Sequence, residues 1–102
     1  MIRLIEENRE RIVDLCRRFH VARLEVFGSA AAGDFDETRS DVDFLVEFKP
    51  LDPGALADAY FGLLAAFQEL FRRDVDLVTP KAVKNPFFLR TINESRQMLY
   101  AA

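Results

Sequence analysis

Two short β-forming runs, one ending in Gly28-Ser29 and the next opening with Asp41-Val42-Asp43, leave this chain few folds to choose from. Residues 21–27 are mostly apolar and stop at the glycine; residues 41–48 are rich in β-branched and aromatic side chains and stop at Lys49-Pro50. Both runs therefore read as strands. Alternate residues of a strand share a face, so Asp41, Asp43, Leu45 and Glu47 fall on one side of the second strand. Val42, Phe44, Val46 and Phe48 fall on the other, which reads as a core face.

The polar side of this arrangement has a specific chemistry. Carboxylates crowded together repel unless a cation lies between them. Oxygen ligands suit Mg²⁺ or Mn²⁺, and Mg²⁺ is commonly held by one or two carboxylates together with substrate phosphates. Upstream, Gly28 lets a backbone approach a ligand with no Cβ in the way. Ser29 is expected to cap a short helical turn through Ala30, Ala31 and Ala32, whose free amides suit an anion. A Gly-Ser dipeptide alone is most often a turn, and an Asp-x-Asp alone is most often solvated. Their occurrence in this order describes a pocket for a nucleoside triphosphate and its metal.

A third acid strengthens this reading. Residues 74–79 form a short β-like run between Arg72-Arg73 and Pro80, with Val75 and Leu77 on one face and Asp74, Asp76 and Val78 on the other. If this run pairs with the 42–48 strand, Asp76 lies near Asp43. Asp41, Asp43 and Asp76 on one sheet face would suit two metal ions ~3.5–4 Å apart, as in in-line phosphoryl displacement. Asp76 is equally suited to be a general base for the attacking hydroxyl. The plainer alternative makes Asp74 and Asp76 polar residues at the rim of an edge strand.

Helices are expected to frame the sheet. Residues 2–19 place Ile2, Ile5, Ile12, Cys16 and Phe19 on one helical face. Cys16 reads as a small buried hydrophobe rather than a nucleophile paired with His20, and His20 as the residue completing the helix C-terminus. Asp52-Pro53 starts a second helix whose stripe of Leu56, Tyr60, Leu63, Leu64, Phe67, Leu70 and Phe71 reads as core. Tyr60 reads as a partly buried ring with its hydroxyl at the edge, the alternative being a stacking or modified residue. Asn85-Pro86 repeats the start signal for a last helix through about Leu99, with Phe88, Leu89, Ile92 and Leu99 on its apolar side. Lys81, Lys84, Arg90 and Arg96 read as a solvated face, with triphosphate steering or docking of an acidic partner as the functional alternative.

Composition bounds the function classes. The 102 residues suffice for one domain, 1–102, and half are apolar while 30% are charged, as in ordinary globular proteins. A net charge of −3 argues against general nucleic-acid binding. No run approaches a membrane span, the N-terminal segment does not look like a signal peptide, and one cysteine forms no internal disulfide, so a cytoplasmic location is expected. The ten phenylalanines leave room for an exposed apolar patch that would mark a protein partner. The non-periodic stretch 33–40 is expected to close over a nucleotide.

Gly28-Ser29, Ser40-Asp41-Val42-Asp43-Phe44-Leu45-Val46 and Arg73-Asp74-Val75-Asp76-Leu77-Val78-Thr79-Pro80 together resemble the minimal nucleotidyltransferases of the DNA polymerase β-like superfamily. The resemblance covers most of the chain and implies an α+β fold, a small mixed β-sheet flanked by helices. It implies transfer of a nucleoside monophosphate from an NTP to a hydroxyl, with Mg²⁺ in one or two sites and ATP as donor. By the same resemblance Asp41, Asp43 and Asp76 are the metal-binding and catalytic residues. Gly28, Ser29, Ser40, Asp41 and Asp43 are the nucleotide contacts. Many single-domain members look like antitoxins acting on a co-encoded toxin of the HEPN ribonuclease type, which implies adenylylation of a toxin tyrosine and a complex of the two proteins.

The chain departs from the family pattern twice. Eleven residues separate Ser29 from Asp41 where ten are common, and Gly28-Ser29-Ala30-Ala31-Ala32-Gly33 lacks the arginine often found at Ala32, with Arg39 the candidate to replace it. Two further readings thus stand beside the enzyme: an inactive antitoxin that neutralises its toxin by direct binding, and a small-molecule nucleotidyltransferase.

Overall fold

The computed structural model describes residues 2–32 and 41–102. The elements run α1 Arg3–Glu7, α2 Arg9–Arg18, β1 Val21–Phe27, α3 Ser29–Ala32, β2 Val42–Phe48, α4 Pro53–Phe71, β3 Val75–Val78, a 3-10 turn Pro80–Ala82, α5 Pro86–Ser95 and β4 Gln97–Ala101. The strands form one sheet in the order β3-β2-β1-β4. β1 is antiparallel to β2 and β4, while β2 and β3 are parallel, so the sheet is mixed as the resemblance implies.

The β2 pattern divides the molecule. Val42, Phe44 and Val46 are fully buried in the main core with Ile5, Ile12, Leu63 and Phe67. Phe44 stacks on Phe67 of α4 with ring centroids 4.8 Å apart. Leu45 points the other way and is also buried, in a smaller cluster with Phe27 of β1 and Ile92 of α5. The second sheet face is therefore only partly open.

Four local expectations are corrected. The helix expected over 2–19 is broken at Asn8, whose side chain donates to the Leu4 carbonyl at 2.8 Å and whose backbone turns to φ −107°, ψ 13°. This is the competition with helix geometry that an interior Asn introduces. Along α4 the buried line is Ala59, Leu63, Phe67 and Phe71, an i, i+4 series that turns Leu56 outward to 41% exposure. Asp52 occupies the N-cap position of that helix but makes no side-chain cap bond, whereas Asn85 accepts from Phe87 N–H at 2.9 Å as a cap should.

The largest correction concerns the end of the chain. The helix expected to reach about Leu99 stops at Ser95, and residues 97–101 form an edge strand on β1. Leu99 lies seven residues after Ile92, so it fits a helical stripe, but it reaches the main core from the strand. Pairing with β1 satisfies a row of backbone groups that a longer helix would have left open.

The readings of the small residues hold. Cys16 is fully buried, and burial pushes its thiol up to about 12, which removes it as a nucleophile. His20 takes a left-handed conformation, φ 62°, directly after α2 and its C-cap Phe19. The Tyr60 hydroxyl donates to the Leu77 carbonyl at 2.5 Å, as a partly buried ring with an edge hydroxyl would.

Candidate active site

Strand pairing places the acids. Phe27 of β1 is the register partner of Asp43, and Asp43 is the partner of Asp76 across the parallel β2–β3 pair. Residues in one row share a face, so Phe27, Asp43 and Asp76 stand side by side. The next row along the same face is Glu25, Leu45 and Val78. α5 covers that row through Ile92, and Val83 packs there as well. Asp43 and Asp76 are thus set at the end of the covered part of the face.

The electrostatics follow from this placement. Partial burial, a hydrogen bond to Asp76, and the charges of Asp76 and Asp41 push the Asp43 carboxyl up to about 7. Without a cation this repulsion favours the protonated form of Asp43. Asp41 is exposed just ahead of β2, close enough for its charge to act on Asp43. Among the described residues no three His, Cys, Asp or Glu side chains converge as a ready-made metal cage. The facing pair with a third negative charge nearby does fit a hard divalent cation whose remaining positions are filled by substrate oxygens.

The glycine of the turn is in contact with this pair. Gly28 has φ +72°, and a Cβ built on it would lie 2.7 Å from Asp43 Oδ2. Only glycine lets the chain turn there with a carboxylate against its backbone. Ser29 begins α3 rather than capping it: the Gly28 carbonyl receives the Ala31 N–H at 3.2 Å, so the capping position belongs to Gly28. The expected contacts of Ser40, the substitution by Arg39 and the closing stretch 33–40 lie outside the described residues, as does the side chain of Ala32.

Sequence reasoning missed the support beneath the turn. Glu25, only 3% exposed, accepts from Arg96 Nε at 2.5 Å and Nη2 at 2.8 Å, and from Arg23 Nε at 2.8 Å. The Arg96 hydrogen bonds, opposed in part by burial, hold the Glu25 carboxyl below its usual range. Arg96 is therefore paired across the sheet with Glu25 while remaining partly exposed. A signal for this existed in the sequence: Glu25 interrupts a mostly apolar strand on the same parity as Phe27, and a buried carboxylate there needs a cationic or hydrogen-bonding partner.

A separate apolar groove of about 550 Å³ lies along β3 and the first half of α4, lined by Phe48, Leu56, Tyr60, Phe61 and Leu77 among others. Phe48 and Leu77 lie on the core face, so the groove lies mainly on the other side of the sheet from Asp43 and Asp76, reaching Val78 at the β3 edge.

Comparison with known proteins gives the family and the fold. A sequence profile of the family described as "Nucleotidyltransferase domain" matches residues 9–99. Two proteins of Methanocaldococcus jannaschii are similar to the chain. "Putative protein adenylyltransferase MJ1379" is 31% identical over 77 residues, covering 76% of this chain and 75% of the relative. "Putative protein adenylyltransferase MJ0128" is 36% identical over 80 residues, covering 78% of each. Among solved structures, one described as a "putative minimal nucleotidyltransferase" superposes with a TM-score of 0.71 at 29% identity, covering 91% of this chain and 90% of that one. A toxin-antitoxin structure with AMP-PNP superposes at 0.68 and 23% identity, covering 93% and 74%. A tri-AMPylated Shewanella oneidensis HEPN toxin in complex with its MNT antitoxin superposes at 0.63 and 20%, covering 95% and 72%. The last two likenesses bear on the fold.

Proposed function

This chain belongs to the nucleotidyltransferase domain family, and we propose that within it the chain transfers AMP from ATP to a hydroxyl of a partner protein, as the antitoxin of a toxin–antitoxin pair. The observation that carries the proposal is the Asp43–Asp76 pair, two facing carboxylates with the Gly28 backbone against one of them.

In this reading the roles follow from position. Asp41, Asp43 and Asp76 would hold Mg²⁺, which when bound would supply charge neutralisation for the phosphoryl group being transferred. The turn at Gly28 and Ser29 sets the triphosphate beside the carboxylates, with Ser40 as a further contact. Asp76 lies on the edge strand β3 of the row and is either a further metal ligand or the base that takes the proton of the attacking hydroxyl as it bonds to the α-phosphorus and pyrophosphate leaves. Most of the rate acceleration is positioning and charge neutralisation rather than covalent catalysis.

A protein acceptor is supported by the surface. Phe87, 75% exposed, with Phe88 and Leu89 next to it, forms an apolar strip at the start of α5, and Phe88 makes an edge contact with Phe27 of the acidic row at 5.8 Å. Apolar residues exposed in a contiguous group mark a protein contact more often than a solvated surface. The names of the two Methanocaldococcus relatives and the AMPylated toxin in one of the similar complexes support adenylyl transfer to protein and a HEPN-type partner. No helix of the described residues is long and apolar enough to cross a membrane.

The test is incubation with Mg²⁺, α-labelled ATP and the co-encoded protein, followed by gel and intact-mass analysis. The proposal expects AMP on the partner, lost with Asp43→Asn. A stable complex with no transfer would instead establish neutralisation by direct binding.

A further inference from the structure

The junction between α5 and β4 holds the Gly28 turn with three successive side chains. Ser95 Oγ accepts the Gly28 N–H at 2.8 Å. The same hydroxyl donates to the Thr91 carbonyl at 3.1 Å, which spends its one proton and leaves a lone pair for Gly28. Arg96 grips Glu25, three residues before the turn, through two hydrogen bonds. Gln97 Nε2 donates to the Ala31 carbonyl at 3.1 Å, three residues after it. The turn is therefore gripped before, at and after the glycine by residues 95, 96 and 97.

These bonds act where position matters. Gly28 is in the left-handed region and its backbone lies against Asp43 Oδ2, so a displacement of the glycine moves both the turn and the space available to that carboxylate. Its four-residue helix α3 is too short to hold itself in place by helical hydrogen bonds. The restraint must come from outside: the Ile2 N–H donates to the Ala30 carbonyl at 3.2 Å, and at the glycine itself it comes from a segment 67 residues away in sequence.

We propose that Ser95 is a positioning residue, whose hydroxyl, with Arg96 and Gln97 on either side, fixes the Gly28-Ser29 turn in the conformation that receives the triphosphate. The nucleotide part of this statement rests on the activity proposed above; the hydrogen bond to Gly28 stands without it. The role is distinct from catalysis, because Ser95 acts through the backbone of another residue.

Two measurements on Ser95→Ala and Ser95→Thr separate the parts of the claim. The first is amide hydrogen exchange of Gly28 by NMR, which needs no ligand. The Gly28 amide is expected to exchange about tenfold faster in Ser95→Ala, the equivalent of one ordinary hydrogen bond, and to return to its original rate in Ser95→Thr, which keeps the acceptor. The second is the dissociation constant for MgATP, expected to weaken about tenfold in Ser95→Ala and to recover in Ser95→Thr. Unchanged Gly28 exchange in Ser95→Ala, or no recovery in Ser95→Thr, would overturn the hydrogen-bond role. Faster exchange with unchanged MgATP affinity would overturn the positioning role. Failure of the unsubstituted chain to bind MgATP would overturn the activity proposed above and the nucleotide part of this claim, leaving the Gly28 exchange data to decide the rest.

Discussion

Gly28 and Asp43 are in direct contact across β1 and β2: the space a side chain would need at the glycine is filled by Asp43 Oδ2, 2.7 Å from where a Cβ would stand. Gly28→Ala therefore meets two penalties, a left-handed backbone at φ +72° and an overlap with a carboxylate. The expected cost is roughly 1–3 kcal/mol in denaturant unfolding, with loss of nucleotide transfer. A stable and active Gly28→Ala protein would show that the turn is not built on this contact.

The raised Asp43 carboxyl makes a pH prediction with a definite sign. In the unfolded chain an aspartate titrates near ~3.9, and in the folded chain Asp43 titrates at about 7. Between those values the folded state holds a proton that the unfolded state has released, so this group's contribution to stability is largest below the lower value and is lost as pH rises through the upper one. Asp43→Asn is expected to remove this slope, leave the protein at least as stable at pH 8, and abolish transfer. Urea midpoints measured from pH 4 to 8 for both proteins test it.

Glu25 titrates in the opposite sense. Arg96 and Arg23 hold its carboxyl below the usual range, so its stabilisation is present above ~4.3 and is lost as pH falls through the folded value. Arg96→Ala leaves Glu25 buried with Arg23 as its remaining described ion-pair partner. The expected destabilisation is about 2–3 kcal/mol, below the ~3–5 kcal/mol of a fully orphaned buried charge. Replacing both residues together, Glu25→Leu with Arg96→Met, is expected to recover much of that loss, and a double-mutant cycle measures the coupling.

Tyr60 covers an edge. In the parallel β2–β3 pair the Val42 N–H donates to the Asp74 carbonyl, so the alternate carbonyl of Leu77 faces away from β2, and the Tyr60 hydroxyl occupies it. Tyr60→Phe is expected to cost about 1 kcal/mol and to raise exchange at the β3 edge, while transfer is unchanged. A fall in transfer without a fall in stability would place Tyr60 in the acceptor site instead.

The site was legible to the extent that it depends on strand parity. Asp43, Leu45 and Asp76 fall on their observed face because side-chain alternation is a local rule, and the parallel register then brings Asp43 to Asp76. What eluded the sequence depends on tertiary pairing. Leu99 satisfies a helical spacing and a strand spacing equally, and only the free edge of β1 decides between them. Arg96 looked like one of several surface cations because its partner Glu25 is 71 residues away. Asn8 carried its own signal, since an Asn inside a helical pattern competes for the backbone.

The measurement that bears most directly on the site is binding of Mn²⁺ with AMP-PNP, followed by the paramagnetic broadening of backbone amides. The structure predicts nucleotide-dependent broadening centred on Gly28, Asp43 and Asp76, absent in Asp43→Asn. Broadening centred elsewhere, or the same pattern in Asp43→Asn, would contradict a metal–nucleotide site at the facing carboxylates.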